Sequence, residues 1–162
     1  MQTINDVIAH SLTNSKGMLR RFCDDLQPKE YLHRPTPKAN CAAWLIGHLT
    51  LADRRCMTLL GASDMPSLPD GFEKRYARDE TAPHQSDFPD VPNLLSIFEK
   101  NRDMLIAVVK RATPDQLNKP LEKTFPMFST VGEMISFMSL HTAMHAGQIT
   151  IIRRSLGRPP LI

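Results

Sequence analysis

The sequence predicts an all-α four-helix bundle forming one domain over residues 1–162, and three observations carry that prediction. Leu, Met and Ala are plentiful and β-branched runs are few, which favours helix over strand. Four long segments place apolar residues at helical spacing, and none alternates for long enough to make a strand. The second and third segments are separated by a proline-bearing link from 61 to 90. It is long enough to carry the chain back along a whole helix, so those two helices can run parallel.

The first segment runs from about Thr3 to Leu26. Thr3 can cap it, and Ile4, Val7, Ile8, Leu12, Leu19, Phe22 and Leu26 form its stripe. Gly17 within it marks a close approach or a kink. After the link His33-Arg34-Pro35-Thr36-Pro37, Asn40 is the expected cap of the second segment, which continues to about Leu60 and stops at Gly61. Its inner stripe reads Leu45, His48, Leu49, Ala52, Cys56, Leu59. Residues 61 to 90, with Pro66, Pro69, Pro83 and Pro89, read as an irregular crossover.

The third segment spans about Pro92 to Ala112, capped by Asp90 or Asn93, with Leu94, Leu95, Phe98, Leu105 and Val109 facing the core. Thr113-Pro114-Asp115-Gln116 opens a short helical turn. Leu121 to Ser129 is either loop or a short extended piece. The fourth segment begins at the capping box Thr130-Val131-Gly132-Glu133 and continues to Leu156, where Gly157 and Pro159-Pro160 stop it.

Charge and composition narrow the function classes. A net charge of +3, spread along 162 residues, does not argue for nucleic-acid binding. Arg153, Arg154 and Arg158 cluster at a helix end, where cations suit the macrodipole. Three cysteines, Cys23, Cys41 and Cys56, form no CxxC and suit a reducing compartment. No leader-like segment and no apolar run of membrane length is seen, so the expected location is the cytoplasm.

The chemistry lies in the histidines. His141 and His145 stand at i and i+4, so their side chains leave one helix face a turn apart and can share one ion. Six His in 162 residues give such a pair by chance in about one chain in five, so spacing alone is weak. Position strengthens it. Met134, Met138, His141, His145, Gln148 and Ile152 form one stripe, whose apolar members turn it toward the core. Each unsatisfied polar group buried there would cost about 1–3 kcal/mol, and a shared metal ion satisfies the rings most simply. His48, on the inner stripe of the second segment, is the third ligand.

Three imidazoles suit zinc, nickel, copper or iron over magnesium, calcium or manganese, and leave one coordination position for water, a thiol or substrate. Gln148 either orients a ring or a water beside the site or is a helix-packing amide. Asp53, five residues from His48, should point elsewhere, and sequence spacing places no other carboxylate near the site as a general base. His10, His33 and His84 lack ligand spacing and read as surface groups. Cys56 reads as a small apolar filler, Trp44 as a core anchor, and the Met residues as core or cleft wall.

Asn40-Cys41-Ala42-Ala43-Trp44-Leu45-Ile46-Gly47-His48-Leu49 resembles the N-x-x-x-W-L-x-x-H motif of the DinB family, and His141-Thr142-Ala143-Met144-His145-Ala146-Gly147-Gln148-Ile149 resembles its H-x-x-x-H-x-G-Q motif. The resemblance covers nearly the whole chain. It implies an up-down-down-up bundle, a divalent metal, commonly nickel or zinc, on His48, His141 and His145, and often a homodimer. That superfamily includes thiol-dependent S-transferases, a thiol-dependent maleylpyruvate isomerase and members described as metal-dependent hydrolases, and the motifs here select none of them. Three readings stand open. An enzyme would activate water or a low-molecular-weight thiol against a small-molecule electrophile. A non-catalytic module would bind metal or small molecules in a stress response. A staple would use the histidines to hold the bundle together.

Overall fold

The computed structural model describes residues 1–78 and 88–161. In chain order the helices are α1 (Ile4–Cys23), α2 (Ala42–Leu59), α3 (Phe72–Tyr76), α4 (Leu94–Arg111), α5 (Pro114–Asn118) and α6 (Val131–Ser155). A hairpin of β1 (Pro120–Phe125) and β2 (Phe128–Thr130) precedes α6, and 3-10 turns occupy Pro28–Leu32 and Val91–Asn93. The bundle is made of α1, α2, α4 and α6.

Side-chain pairs give the direction of each helix. Asn5 donates to the carbonyls of Val109 and Ala112, and Arg20 pairs with Glu99, so α1 and α4 are antiparallel. Asp53 meets Arg102 while Gln116, just past α4, donates to the Leu60 carbonyl, so α2 and α4 run parallel. The Arg153 guanidinium reaches Asp25 and the Phe22 carbonyl from the far end of α6, so α1 and α6 are parallel too. The order is up-down-down-up, as the long link between α2 and α4 allows.

The caps obey local chemistry. Thr3, Thr113 and Thr130 each accept from the backbone N–H three residues on and complete capping boxes with Asp6, Gln116 and Glu133. Gly61 and Gly157 sit just past α2 and α6 at φ +81° and +76°, the left-handed conformation that closes a helix. Other boundaries differ from expectation. Cys41, not Asn40, occupies the cap position of α2, in extended backbone and with no side-chain cap bond. Neither Asp90 nor Asn93 caps with its side chain, because a 3-10 turn leads directly into α4. The Asp90 carboxylate instead accepts from Arg75 and from the Tyr76 hydroxyl.

The expected stripes hold at their centres and fail at some edges. In α1, Ile8, Leu12, Leu19 and Phe22 are buried, but Ile4 and Val7 are exposed. A Cβ on Gly17 would meet nothing within 4 Å, so no close approach occurs there. Leu121 to Ser129 belongs to the β-hairpin rather than to loop. The 61–90 link is not wholly irregular, since α3 buries Phe72 and Tyr76 against α2. That docking requires Gly47, because a Cβ there would fall 2.2 Å from the Tyr76 ring. His84 and Pro83 lie outside the described residues.

Two apolar clusters fill the bundle, one around Leu45, Leu49, Phe98 and Ile149 and one around Leu12, Cys56, Leu105 and Met138. Ser15, Asp53, Arg102 and Thr142, one from each of the four helices, form a buried polar group. Arg102 donates to both Asp53 oxygens at 2.7 and 2.9 Å, to Ser15 Oγ at 2.9 Å, and to Thr142 Oγ1 at 2.9 Å. The two hydroxyls donate onward to the Leu12 and Met138 carbonyls. With its fork fully used, Arg102 can be buried at tolerable cost. Asp53 does point away from His48, and its role is to neutralise this guanidinium. The cluster Arg153 and Arg158 is likewise structural: both pair with Asp25, and Arg158 also with Glu30.

Candidate metal centre

The centre is built by α2 and α6, whose antiparallel packing sets His48 opposite His141 and His145. The i, i+4 spacing brings the His141 and His145 Nε2 atoms to 2.9 Å of each other. One ring nitrogen from each of the three histidines lies within 4.8 Å of the others. Around one zinc or nickel ion at about 2.0–2.1 Å, tetrahedral nitrogens would stand roughly 3.3 Å apart, so the His141–His145 pair is slightly closer than one ion would set it and the whole set is somewhat wider. His141 also leaves its Nδ1 buried without a hydrogen-bond partner among the described residues, so the surrounding protein does not by itself satisfy this imidazole.

Neighbours hold the rings. Trp44, one turn before His48, stacks on it with centroids 4.8 Å apart and planes 6° from parallel. Phe137, one turn before His141, stacks at 6.0 Å and 17°. Gln148 Oε1 lies 2.8 Å from His145 Nδ1. An amide oxygen can only accept, so Nδ1 carries the proton and Nε2 keeps its lone pair facing His141. Gln148 thus orients a ring, although its own side chain is exposed rather than buried with the stripe. The histidines also sit on the flank of the buried stripe, half-buried, while Thr142, Ile149 and Ile152 face the interior.

Electrostatics keeps the rings neutral. Burial first, then the His145 ring, pushes His48 down to about 4. Burial, with His145 and His48 beside it, pushes His141 down to about 3. Burial lowers His145 as well, partly opposed by its bond to Gln148. Neutral imidazoles are the ligating form, and burial favours that form in all three rings.

The centre opens into a cleft of about 390 Å³ that includes His48 and His141. Its walls are Tyr76 from α3, Phe125 and Phe128 from the hairpin, and Met134, Phe137 and Met138 from α6, with Arg55 and Arg78 also lining it. Among the described residues no carboxylate lines it. Met134 and Met138 are among the methionines expected as core or cleft wall, whereas the aromatic and arginine lining was not expected from the sequence. Arg55 and Phe137 carried a signal, standing seven and four residues from His48 and His141 on one helix face. Arg78, Tyr76 and the hairpin aromatics carried none. Cys56 is buried in the core beside Met57, as a small apolar filler would be. His10 is exposed, whereas His33 is half-buried and bonds Ser155 Oγ at 2.9 Å.

A family model for the DinB superfamily matches residues 11–149, from the second turn of α1 to the last turns of α6 and across all three histidines. A search of curated proteins finds no match. No helix among the described residues is long and apolar enough to cross a membrane.

Proposed function

The chain belongs to the DinB superfamily, and from that premise we propose that His48, His141 and His145 hold one divalent transition metal, nickel or zinc, in an enzyme that activates water or a thiol against a small electrophile. The observation that carries this reading is the convergence of three neutral imidazole nitrogens from two helices beside an apolar cleft. A metal held there supplies a concentrated positive charge that favours the deprotonated form of water or a thiol. The chain's own residues do the rest. Trp44 and Phe137 fix the planes of two rings, Gln148 fixes the tautomer of the third, and the aromatic walls exclude bulk water.

A second reading, a non-catalytic metal or small-molecule binding module, is favoured by one observation: no carboxylate among the described residues lines the cleft to act as a general base. The staple reading is weakened by the cleft itself, because a purely structural centre has no need of an opening. The exposed apolar residues Leu140, Met144 and Ile151 on α6, with Ile4 and Val7 on α1, support a homodimer formed through these helices. Three free buried thiols suit a reducing compartment such as the cytoplasm.

Metal analysis of the purified protein tests the central claim, with about one ion per chain expected. His141→Ala with His145→Ala should abolish binding; full occupancy in that variant sinks the site. Turnover across a panel of thiols with electrophiles, and of simple esters and amides, separates enzyme from module. Metal-loaded protein that turns over none of them favours the module.

A further inference from the structure

The cleft beside the three imidazoles carries a second chemical signature that metal binding does not use. Arg55 and Arg78 both line it, and both side chains are exposed. Neither is in an ion pair among the described residues, and no Asp or Glu among those residues lines the cleft. Arg55 stands two helical turns after His48, its guanidinium carbon 5.8 Å from the centre of the Phe125 ring. That ring holds the guanidinium in place, so less freedom is lost when it captures a ligand. Arg78 follows α3 and lines the same cleft as His48 and His141. Two cations without an ion-pair partner among the described residues, set against low-dielectric aromatic walls, make a field that attracts anions. The remaining walls are apolar or aromatic, and a volume of about 390 Å³ suits a small organic molecule.

We propose that the cleft binds a small organic acid, its carboxylate held by Arg55 and Arg78 and its apolar or aromatic body lying against Phe128 and Phe137, next to the imidazoles. The inference rests on the reading of this cleft as the ligand site and deepens it by naming the substrate class. Arg recognises carboxylate by two parallel N–H···O bonds, a geometry a neutral amide cannot reproduce. The aromatic walls exclude small hydrated anions and select acids with an apolar body.

The test is calorimetric titration of benzoate, cinnamate and phenylacetate, each beside its neutral amide, into metal-free and zinc-loaded protein at low ionic strength. The acids should bind more tightly than their amides in both forms. Arg55→Gln or Arg78→Gln should weaken acid binding roughly three- to tenfold, as expected for a partly exposed charge-assisted bond, and leave the amides unmoved. The double variant should lose the preference, and Arg→Lys should recover part of it. Circular dichroism checks that each variant is folded. Equal binding of acid and amide, a preference that survives in the folded double variant, or no binding of any acid at millimolar concentration would overturn the inference. Zinc uptake is followed separately through Trp44, the one tryptophan, which stacks on His48. An Arg-dependent preference without zinc binding removes the metal reading and leaves this one. Zinc binding without the preference does the reverse.

Discussion

Replacing Arg102 by Met should destabilise the protein more than any surface change, and for a reason the structure specifies. Arg102 and Asp53 are both fully buried, and the guanidinium supplies the only ion-pair partner of the Asp53 carboxylate among the described residues. Methionine fills much of the volume but leaves the carboxylate uncompensated and removes a donor from both Ser15 and Thr142. Breaking a buried pair from one side costs about 3–5 kcal/mol. For a chain of this length that corresponds to a fall in melting temperature of about 6–20 °C. Thermal and urea unfolding of metal-free protein measure it. The companion variant joins Arg102→Met to Asp53→Leu, removing both charges and leaving two hydroxyls that still bond their own helix carbonyls. It should recover most of the loss, because a buried pair replaced by apolar side chains is often close to neutral. A single variant within about 1 kcal/mol of the native chain, or a double variant as unstable as the single, would refute the claim that this layer is a charge-compensated tie between four helices.

Three further outcomes follow from the same geometry. The folded state holds His48 and His141 at about 4 and 3, below the usual 6.5, so the unfolded chain binds more protons below that value. Metal-free protein should therefore lose stability as pH falls from 6.5 toward 5, above the range where carboxylates titrate, with a slope of up to about 1.4 kcal/mol per pH unit per ring. Melting at several pH values, with His48→Gln/His141→Gln as control, tests this, and an unchanged slope in the control removes it. Gln148→Ala frees the His145 ring without touching the core and should weaken metal binding about tenfold at unchanged melting temperature of the metal-free protein. Competition titration with a chelator reads it, and unchanged affinity makes the amide a bystander. Met144→Asp should convert a dimer to monomer by charging the exposed face of α6, which light scattering would report. A native chain that is already monomeric at micromolar concentration removes the dimer.

What the sequence determined by itself is the part governed by local chemistry. Helix starts at Thr3, Thr113 and Thr130, and stops at Gly61 and Gly157, follow from capping that reaches only a few residues. The pairing of His141 with His145, and of each with a neighbour on its own helix, follows from 3.6-residue periodicity in the same way. The order up-down-down-up was legible because the link after α2 is long. Periodicity says which side of a helix is apolar, but not how far the burial extends around it. That is why Ile4 and Val7 emerged exposed and Gln148 stood outside the core. Tertiary structure alone decided the rest. Asp53 and Arg102 lie 49 residues apart, and only the parallel packing of α2 on α4 makes them partners. Nothing in the local sequence says why Gly47 stands inside α2, and only the packing of Tyr76 shows the need for its missing Cβ. The cleft joins α2, α3, the hairpin and α6, and contacts between elements distant in sequence leave no periodic trace in any one of them. For that reason the convergence of the three histidines could be read from the chain, while Arg78, Tyr76 and the hairpin aromatics that line the cleft beside them could not.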